Sequence, residues 1–268
     1  MSITLSADQL HAIAAQVDHA QTSGGTLTLP TAEHDGFDIA CGYAVQDALR
    51  ERWQGQGRRL VGYKAGLTSR AKMEQMKVDT PTFGFLMADM AVPDGGTCST
   101  GLLARPRVEP EIAFVMKPEI SGPLRSEADV LAATDFIVPA IEIIDSRYAN
   151  YKFDLPSVVA DNSSSARYVI GGRPLRPADI DLRTIGMVVL KNGEIVGEAA
   201  SGAVLGHPAR TIMMLSKWLE ERGERLEGAA LILTGGACEA HLVSAGDNVC
   251  ARFQGLGDVS VRFVGEGQ

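Results

Sequence analysis

Arg107-Val108-Glu109-Pro110-Glu111-Ile112-Ala113-Phe114 sets two glutamates two residues apart in a run that otherwise reads as a strand. Side chains at i and i+2 of a strand share a face, so Glu109 and Glu111 point one way while Val108 and Ile112 point the other. Carboxylates ~7 Å apart along a strand repel each other unless something positive lies between them. The plainer alternative is a solvated edge strand with alternating charges. Pro110, which has no N–H for a ladder, favours an edge or an irregularity. Ile137-Val138-Pro139-Ala140-Ile141-Glu142-Ile143-Ile144 adds a third glutamate inside an otherwise apolar stretch. A lone carboxylate there is costly unless it is paired or bound to a metal. Three converging carboxylates form a hard oxygen site suited to Mg²⁺ or Mn²⁺, with positions left for water and substrate. The competing account pairs Glu142 with a buried Arg or Lys.

Lys64 lies between Tyr63 and Ala65 in a short strand-like run bounded by Gly62 and Gly66. A lysine in such a setting pairs with carboxylates or takes part in proton transfer. Three glutamates around a divalent cation leave an excess negative charge, and a dicarboxylate substrate adds more. Lys64, with one or two of Arg147, Lys152 and Arg167, can offset it; a structural ion pair is the alternative. Two polar loops stand out as well. Asp161-Asn162-Ser163-Ser164-Ser165 is rich in hydroxyl and amide groups, and Thr234-Gly235-Gly236 follows an apolar run whose end exposes N–H groups able to hold a carboxylate. His207, in Leu205-Gly206-His207-Pro208, either acts at the site or caps the helix that follows. Each of these is also compatible with an ordinary turn. Glycine-rich nucleotide motifs and a serine or cysteine nucleophile elbow are absent from the sequence.

The elements that must position these residues change character along the chain. Ser6-Ala7-Asp8-Gln9 is a capping box, with Leu10, Ile13, Ala14 and Val17 at helical spacing and Gly24-Gly25 as the stop. A second helix is expected from Asp38 to Trp53. Leu60 to Gly66 reads as a strand that leads, through Thr68 or Ser69 as N-cap, into a helix over Ala71 to Met76. Strands are then expected over Val108 to Met116, Phe136 to Ile144, Arg167 to Ile170, Ile185 to Leu190, Ala229 to Leu233, Val249 to Phe253 and Val259 to Val264. Asn192-Gly193 supplies a hairpin turn. Two helices interrupt this region, one starting at Ser126 and one near Pro208 that runs to Gly223. Clustered strands with few helices between them argue for an α+β fold with a mixed or antiparallel core. The domain expectation is a helical region over 1–60 and a catalytic core over 61–268.

Composition narrows the partners. Among 268 residues, 25 basic against 33 acidic side chains give a net charge of −8 with no basic stripe, which disfavours nucleic acid and anionic membranes. The start of the chain lacks the pattern of a signal peptide, and no apolar run reaches the ~18 residues of a membrane span. The four cysteines are scattered, without metal-ligand spacing, as in a reducing compartment. A cytoplasmic location is the expectation.

Taken in order, the stretches Gly62-Tyr63-Lys64-Ala65-Gly66-Leu67-Thr68-Ser69, Pro81-Thr82-Phe83-Gly84-Phe85-Leu86, Val108-Glu109-Pro110-Glu111-Ile112, Glu142-Ile143-Ile144-Asp145-Ser146-Arg147, Val159-Ala160-Asp161-Asn162, Leu205-Gly206-His207-Pro208 and Leu233-Thr234-Gly235-Gly236 carry a resemblance. From about Tyr43 to Phe263 the chain resembles the fumarylacetoacetate hydrolase superfamily, in its hydratase/decarboxylase branch of aromatic meta-cleavage pathways. The resemblance implies a mixed β-roll core with a small helical N-terminal region. It implies Mg²⁺ or Mn²⁺ held by Glu109, Glu111 and Glu142, with Lys64 in the pocket and Ser164, Thr234 and Gly235 at the 2-oxo acid end of the substrate. Arg147 is a further substrate-binding candidate. Asp79, in Val78-Asp79-Thr80-Pro81, is the best match to a pocket acid that closes the site or relays a proton; a solvated turn acid is the alternative. Ser69-Arg70-Ala71-Lys72-Met73, Ser146-Arg147-Tyr148 with Lys152-Phe153-Asp154-Leu155, and Gln254-Gly255-Leu256-Gly257 favour a decarboxylase of 2-oxo-3-hexenedioate within the branch. Ser163, where alanine is expected, and Ala237 to His241 depart from the pattern. The rivals are hydration of 2-oxopent-4-enoate, hydrolysis of an acylpyruvate C–C bond, and a non-catalytic subunit. A homo-oligomer and a complex with the pathway hydratase are also implied.

Overall fold

The computed structural model describes residues 5–69, 73–74, 78–120 and 123–267. The expected helix over Ala71 to Met76 lies largely outside them.

Helix α1 (Ala7–Ser23) begins as its capping box dictates: Gln9 N donates to Ser6 Oγ and Ser6 N donates to Gln9 Oε1. After a single turn, α2 (Pro30–Glu33), helix α3 (Ile39–Gly55) starts at Asp38, whose carboxylate accepts from Cys41 N. There follow β1 (Leu60–Gly66), β2 (Thr82–Met87), β3 (Ala91–Val92), β4 (Thr97–Ser99), β5 (Arg107–Met116), α4 (Glu127–Ala133), β6 (Thr134–Ile144), α5 (Leu155–Ala160) and β7 (Ser165–Ile170). The chain continues through β8 (Gly186–Lys191), β9 (Glu194–Ala200), α6 (Ala209–Glu221), β10 (Leu231–Leu233), β11 (His241–Leu242), β12 (Asn248–Phe253) and β13 (Gly257–Val264). Asn192 and Gly193 take φ of 55° and 89° between β8 and β9, as the hairpin turn requires.

The larger sheet has the order β2-β1-β10-β5-β6-β7-β3, with β11 on β5 beyond the end of β10; the smaller runs β4-β13-β12-β8-β9. β1–β10, β3–β7 and β4–β13 are parallel and the other ladders antiparallel, so both sheets are mixed. Period-two alternation divides the larger sheet into two faces. Val108, Ile112, Phe114, Ile141 and Ile143 pack against Val249, Val259, Val261 and Phe263 of the smaller sheet. On the opposite face Ala113, Val138, Ala140 and Leu233 meet Val17, Val45, Leu49 and Trp53 of α1 and α3. Further along β5 and β6 this second face carries Glu109, Glu111 and Glu142 in place of apolar groups. Buried Gln46 on α3 donates to Phe83 O and Val159 O at 2.9 and 3.0 Å, tying the N-terminal helices to β2 and α5.

Two expectations change. β5 is central, not an edge. Pro110 is accommodated because β10 stops at Leu233, opposite Ala113, and β11 pairs only with Arg107 and Val108. The Pro110 carbonyl accepts from Ala237 N at 3.4 Å, so its ring nitrogen faces the same gap, where no ladder donor is needed. The region after residue 95 also holds a third helix, α5. Asp154 caps it by accepting from Ser157 N, and Pro156 sits in its first turn.

Candidate metal centre and its cavity

Glu109 and Glu142 are register partners across β5 and β6, and Glu111 follows two residues along the same face. One carboxylate oxygen from each lies within 4.8 Å of the other two. All three side chains are buried. Glu111 Oε1 and both oxygens of Glu142 have no hydrogen bond among the described residues. Burial, reinforced by the charges of Glu142 and Glu109, holds the Glu111 carboxyl well above the usual range; burial also raises Glu142, against the opposing charge of Lys64.

Lys64, on β1, is 2% exposed. Its Nζ stands 3.2 Å from Glu142 Oε2 as a charge contact and donates its hydrogen bond to Ser163 O at 2.9 Å. Lys64 is in register with Leu233, Ala113 and Val138, four residues short of Glu142 on β6. Three strand spacings on a flat sheet amount to roughly 14 Å. With that offset added, the two side chains meet only because the sheet curls around the site.

The other walls are equally specific. Gly235 N donates to Glu111 Oε2 at 2.6 Å, fixing that carboxylate from the end of β10. A Cβ on Gly236 would come 2.7 Å from Glu109 Cδ, so only glycine admits the Glu109 side chain there. Asn162, Ser163 and Ser164 all take left-handed backbone angles, with φ of 48°, 49° and 60°. Such angles persist only where the surroundings impose them. Here Phe85 N donates to Asn162 Oδ1 at 2.7 Å, Asn162 Nδ2 returns to Phe85 O at 3.0 Å, and Ser163 Oγ donates to Phe83 O. The turn presents Ser164 at a cavity of about 500 Å³ that Lys64, Thr82, Arg107, Glu109, Ile144, Tyr151, Phe153, Val158 and Glu239 also line. The Ser164 hydroxyl is buried without a hydrogen bond among the described residues.

These groups fit a divalent cation. With all three glutamates ionised, they and Lys64 carry a net charge of −2. Octahedral Mg²⁺ with bonds of about 2.1 Å sets its oxygens about 3 to 4 Å apart, and the three carboxylate oxygens lie within 4.8 Å of one another. An oxygen-only donor set with orphaned carboxylate oxygens is the chemistry of Mg²⁺ or Mn²⁺.

Other expected residues lie elsewhere. Arg147 does not line the cavity. It is 1% exposed, forms an ion pair with Asp161, and donates through Nη2 to Asp161 O at 2.8 Å. That buried pair braces the base of the 162–164 turn. Lys152 is exposed, and Arg167 donates to the adjacent Ala166 carbonyl. Asp79 is exposed and outside the cavity wall. Thr234 is fully buried, with Oγ1 donating to Ile112 O at 2.9 Å, so it anchors the turn. His207 Nδ1 accepts from Ala209 N at 3.0 Å and caps α6. Arg107, Tyr151 and Phe153 are wall residues that the sequence reading passed over. The signal for Arg107 was its place two residues before Glu109, on the same strand face.

Fold and site together define the class: the chain belongs to the fumarylacetoacetate (FAA) hydrolase C-terminal family, which matches residues 56–264. It is 47% identical over 264 residues to the 4-oxalocrotonate decarboxylase of Pseudomonas sp. (strain CF600), covering 98% of this chain and 100% of that protein. It is 39% identical over 251 residues to 2-keto-4-pentenoate hydratase 1 of Dechloromonas aromatica (strain RCB), covering 93% and 95%. The structure of 4-oxalocrotonate decarboxylase from Pseudomonas putida G7, complexed with magnesium and adipate, matches with a TM-score of 0.95 at 44% identity, covering 98% and 100%. No helix among the described residues is long and apolar enough to cross a membrane.

Proposed function

We propose that this chain is a cytoplasmic, Mg²⁺- or Mn²⁺-dependent carboxy-lyase that converts 2-oxo-3-hexenedioate to 2-hydroxypenta-2,4-dienoate, the enol of 2-oxopent-4-enoate, and CO₂ in aromatic meta-cleavage degradation. The observation that carries the proposal is the clustering of three buried carboxylates with a lysine, beside a cavity that Glu109 and Lys64 line. The higher identity to a decarboxylase than to a hydratase supports CO₂ loss over hydration.

In this reading Glu109, Glu111 and Glu142 hold the metal. When bound, it supplies Lewis-acid stabilisation of negative charge on the C2 oxygen of a 2-oxo acid. Lys64 adds a second positive charge to that end of the cavity. As the C5–C6 bond breaks, its electron pair passes through C4 and C3 to the C2 oxygen, where the ammonium offsets the charge and can deliver the proton that completes the enol. Ser164 offers its unengaged hydroxyl to the 2-oxo acid end. Gly235 acts one step back, by orienting Glu111, and Thr234 by anchoring the turn. Leu67, Ile144, Phe153 and Val158 give the cavity apolar walls that keep water from the carbanion. The division into a helical region over 1–60 and a core over 61–268, self-association, and a complex with the hydratase that consumes the product belong to the same proposal.

The test is an assay of the purified chain with 2-oxo-3-hexenedioate, in Mg²⁺ and in EDTA. Metal-dependent CO₂ release is expected. No release, with metal-dependent loss of 2-hydroxypentadienoate absorbance, would make the chain a hydratase instead.

A further inference from the structure

Among the described residues, Arg107 is the uncommitted cation of the cavity wall. Its backbone is fixed on both sides, opposite Ile144 on β6 and Leu242 on β11. The guanidinium lies 4.5 Å from the centre of the Tyr151 ring, which lines the same cavity. Arg107 makes no side-chain hydrogen bond or ion pair among the described residues, and its Nε is buried without an acceptor. Lys64, by contrast, is engaged with Glu142 and Ser163. The platform beneath Arg107 is itself held: Tyr151 takes a left-handed φ of 56°, and its hydroxyl donates to Ile144 O at 3.1 Å. A planar fork of donors, stacked on a ring and lacking an acceptor, is suited to a carboxylate.

Spacing says which carboxylate. Arg107 precedes Glu109 by two residues on one face of β5, about 7 Å along the strand. An extended six-carbon chain separates its terminal carbons by about 6 Å. A substrate with its 2-oxo acid end at the three glutamates therefore brings its far end toward Arg107. Resting on the metal-centre reading above, we propose that Arg107, stacked on Tyr151, is the specificity-determining residue that receives the distal carboxylate of a six-carbon 2-oxo dioate.

The chemistry gives this role a kinetic signature. The distal carboxylate leaves as neutral CO₂ while the C5–C6 electron pair stays with the five-carbon fragment, so the ion pair to Arg107 is strongest before the bond breaks. Arg107 thus stabilises the bound substrate more than the transition state, and its loss should raise KM without lowering kcat.

The experiment is calorimetry on the Mg²⁺-loaded chain with two inert probes, 2-oxoadipate and 2-oxohexanoate, which differ only in the distal carboxylate; neither has the C3–C4 double bond. For the native chain, 2-oxoadipate should bind more tightly. Arg107→Gln should weaken 2-oxoadipate ~10- to 100-fold and leave 2-oxohexanoate and Mg²⁺ binding in place. Arg107→Lys, which keeps the charge but not the fork, should fall between and guards against a variant that fails to fold. Unchanged preference for 2-oxoadipate in Arg107→Gln would overturn the proposal, as would equal loss of both probes together with Mg²⁺. If the native chain shows the Arg107-dependent preference but releases no CO₂ from 2-oxo-3-hexenedioate, the decarboxylase reading fails and the assignment of Arg107 stands.

Discussion

Glu109 and Glu142 stand directly opposite each other across the β5–β6 ladder, both buried. Like charges in that position oppose strand pairing, and Glu111 beside them compounds the conflict. A protein keeps such an arrangement where a cation resolves it. Mg²⁺ should therefore raise the melting temperature of the EDTA-treated protein, by the equivalent of about 2.7 kcal/mol at a hundredfold excess over Kd. In Glu142→Gln that increase should vanish. Scanning calorimetry of both chains, with and without Mg²⁺, measures this.

Lys64 is the only positive charge in contact with Glu142 among the described residues. Removing one partner of a buried pair costs about 3–5 kcal/mol. Lys64→Met should lose about that much stability without metal, recover part of it with Mg²⁺, and still turn over at least ~100-fold more slowly for want of the second charge at the C2 oxygen. Equal stability of the two chains in EDTA would count against the pair.

Gly236 offers a test that touches no functional group. The added methyl of Gly236→Ala would meet Glu109 Cδ and turn the carboxylate away from Glu111 and Glu142. Mg²⁺ affinity should fall ~10- to 100-fold, as when a ligand loses its orienting contact. Titration of Mg²⁺ into each chain reads the difference.

How much of this was visible in the sequence varied by element. Strands β5, β6, β12 and β13 begin and end within about two residues of their expected bounds: alternation marks β12 and β13, apolar runs around the glutamates mark β5 and β6, and glycine or turn residues close them. The three glutamates were legible for the same reason: charges on one face of apolar strands. β2 lies outside the expected strands: its six buried residues show no alternation, and Gly84 breaks an already short apolar run. The accommodation of Pro110 depends on where β10 stops, more than a hundred residues later. Arg147 could not be separated from a substrate ligand without its partner Asp161, which only the folded turn brings to it. Arg107, charged and at a strand's start, looks like a solvated end until the Tyr151 ring is placed beneath it.

His207 makes stability depend on pH. Its Nδ1 must be unprotonated to accept the Ala209 N–H that caps α6, and burial lowers its pKa below the ordinary 6.5. The folded state therefore binds the proton less readily than the unfolded chain. Its stabilising contribution is present above pH 6.5 and is lost as the pH falls through the lowered folded value. His207→Asn, which can still accept that N–H, should flatten the decline in melting temperature between about pH 7 and 5. An unchanged slope would show that the cap does not titrate.

The central claim is that Glu109, Glu111 and Glu142 together hold one divalent cation beneath Lys64. The most direct measurement is anomalous diffraction from crystals of the native protein soaked in Mn²⁺. The account predicts a single strong anomalous peak within about 2.2 Å of an oxygen from each glutamate. Manganese bound elsewhere, or no peak with Glu142 held only by Lys64, would contradict it.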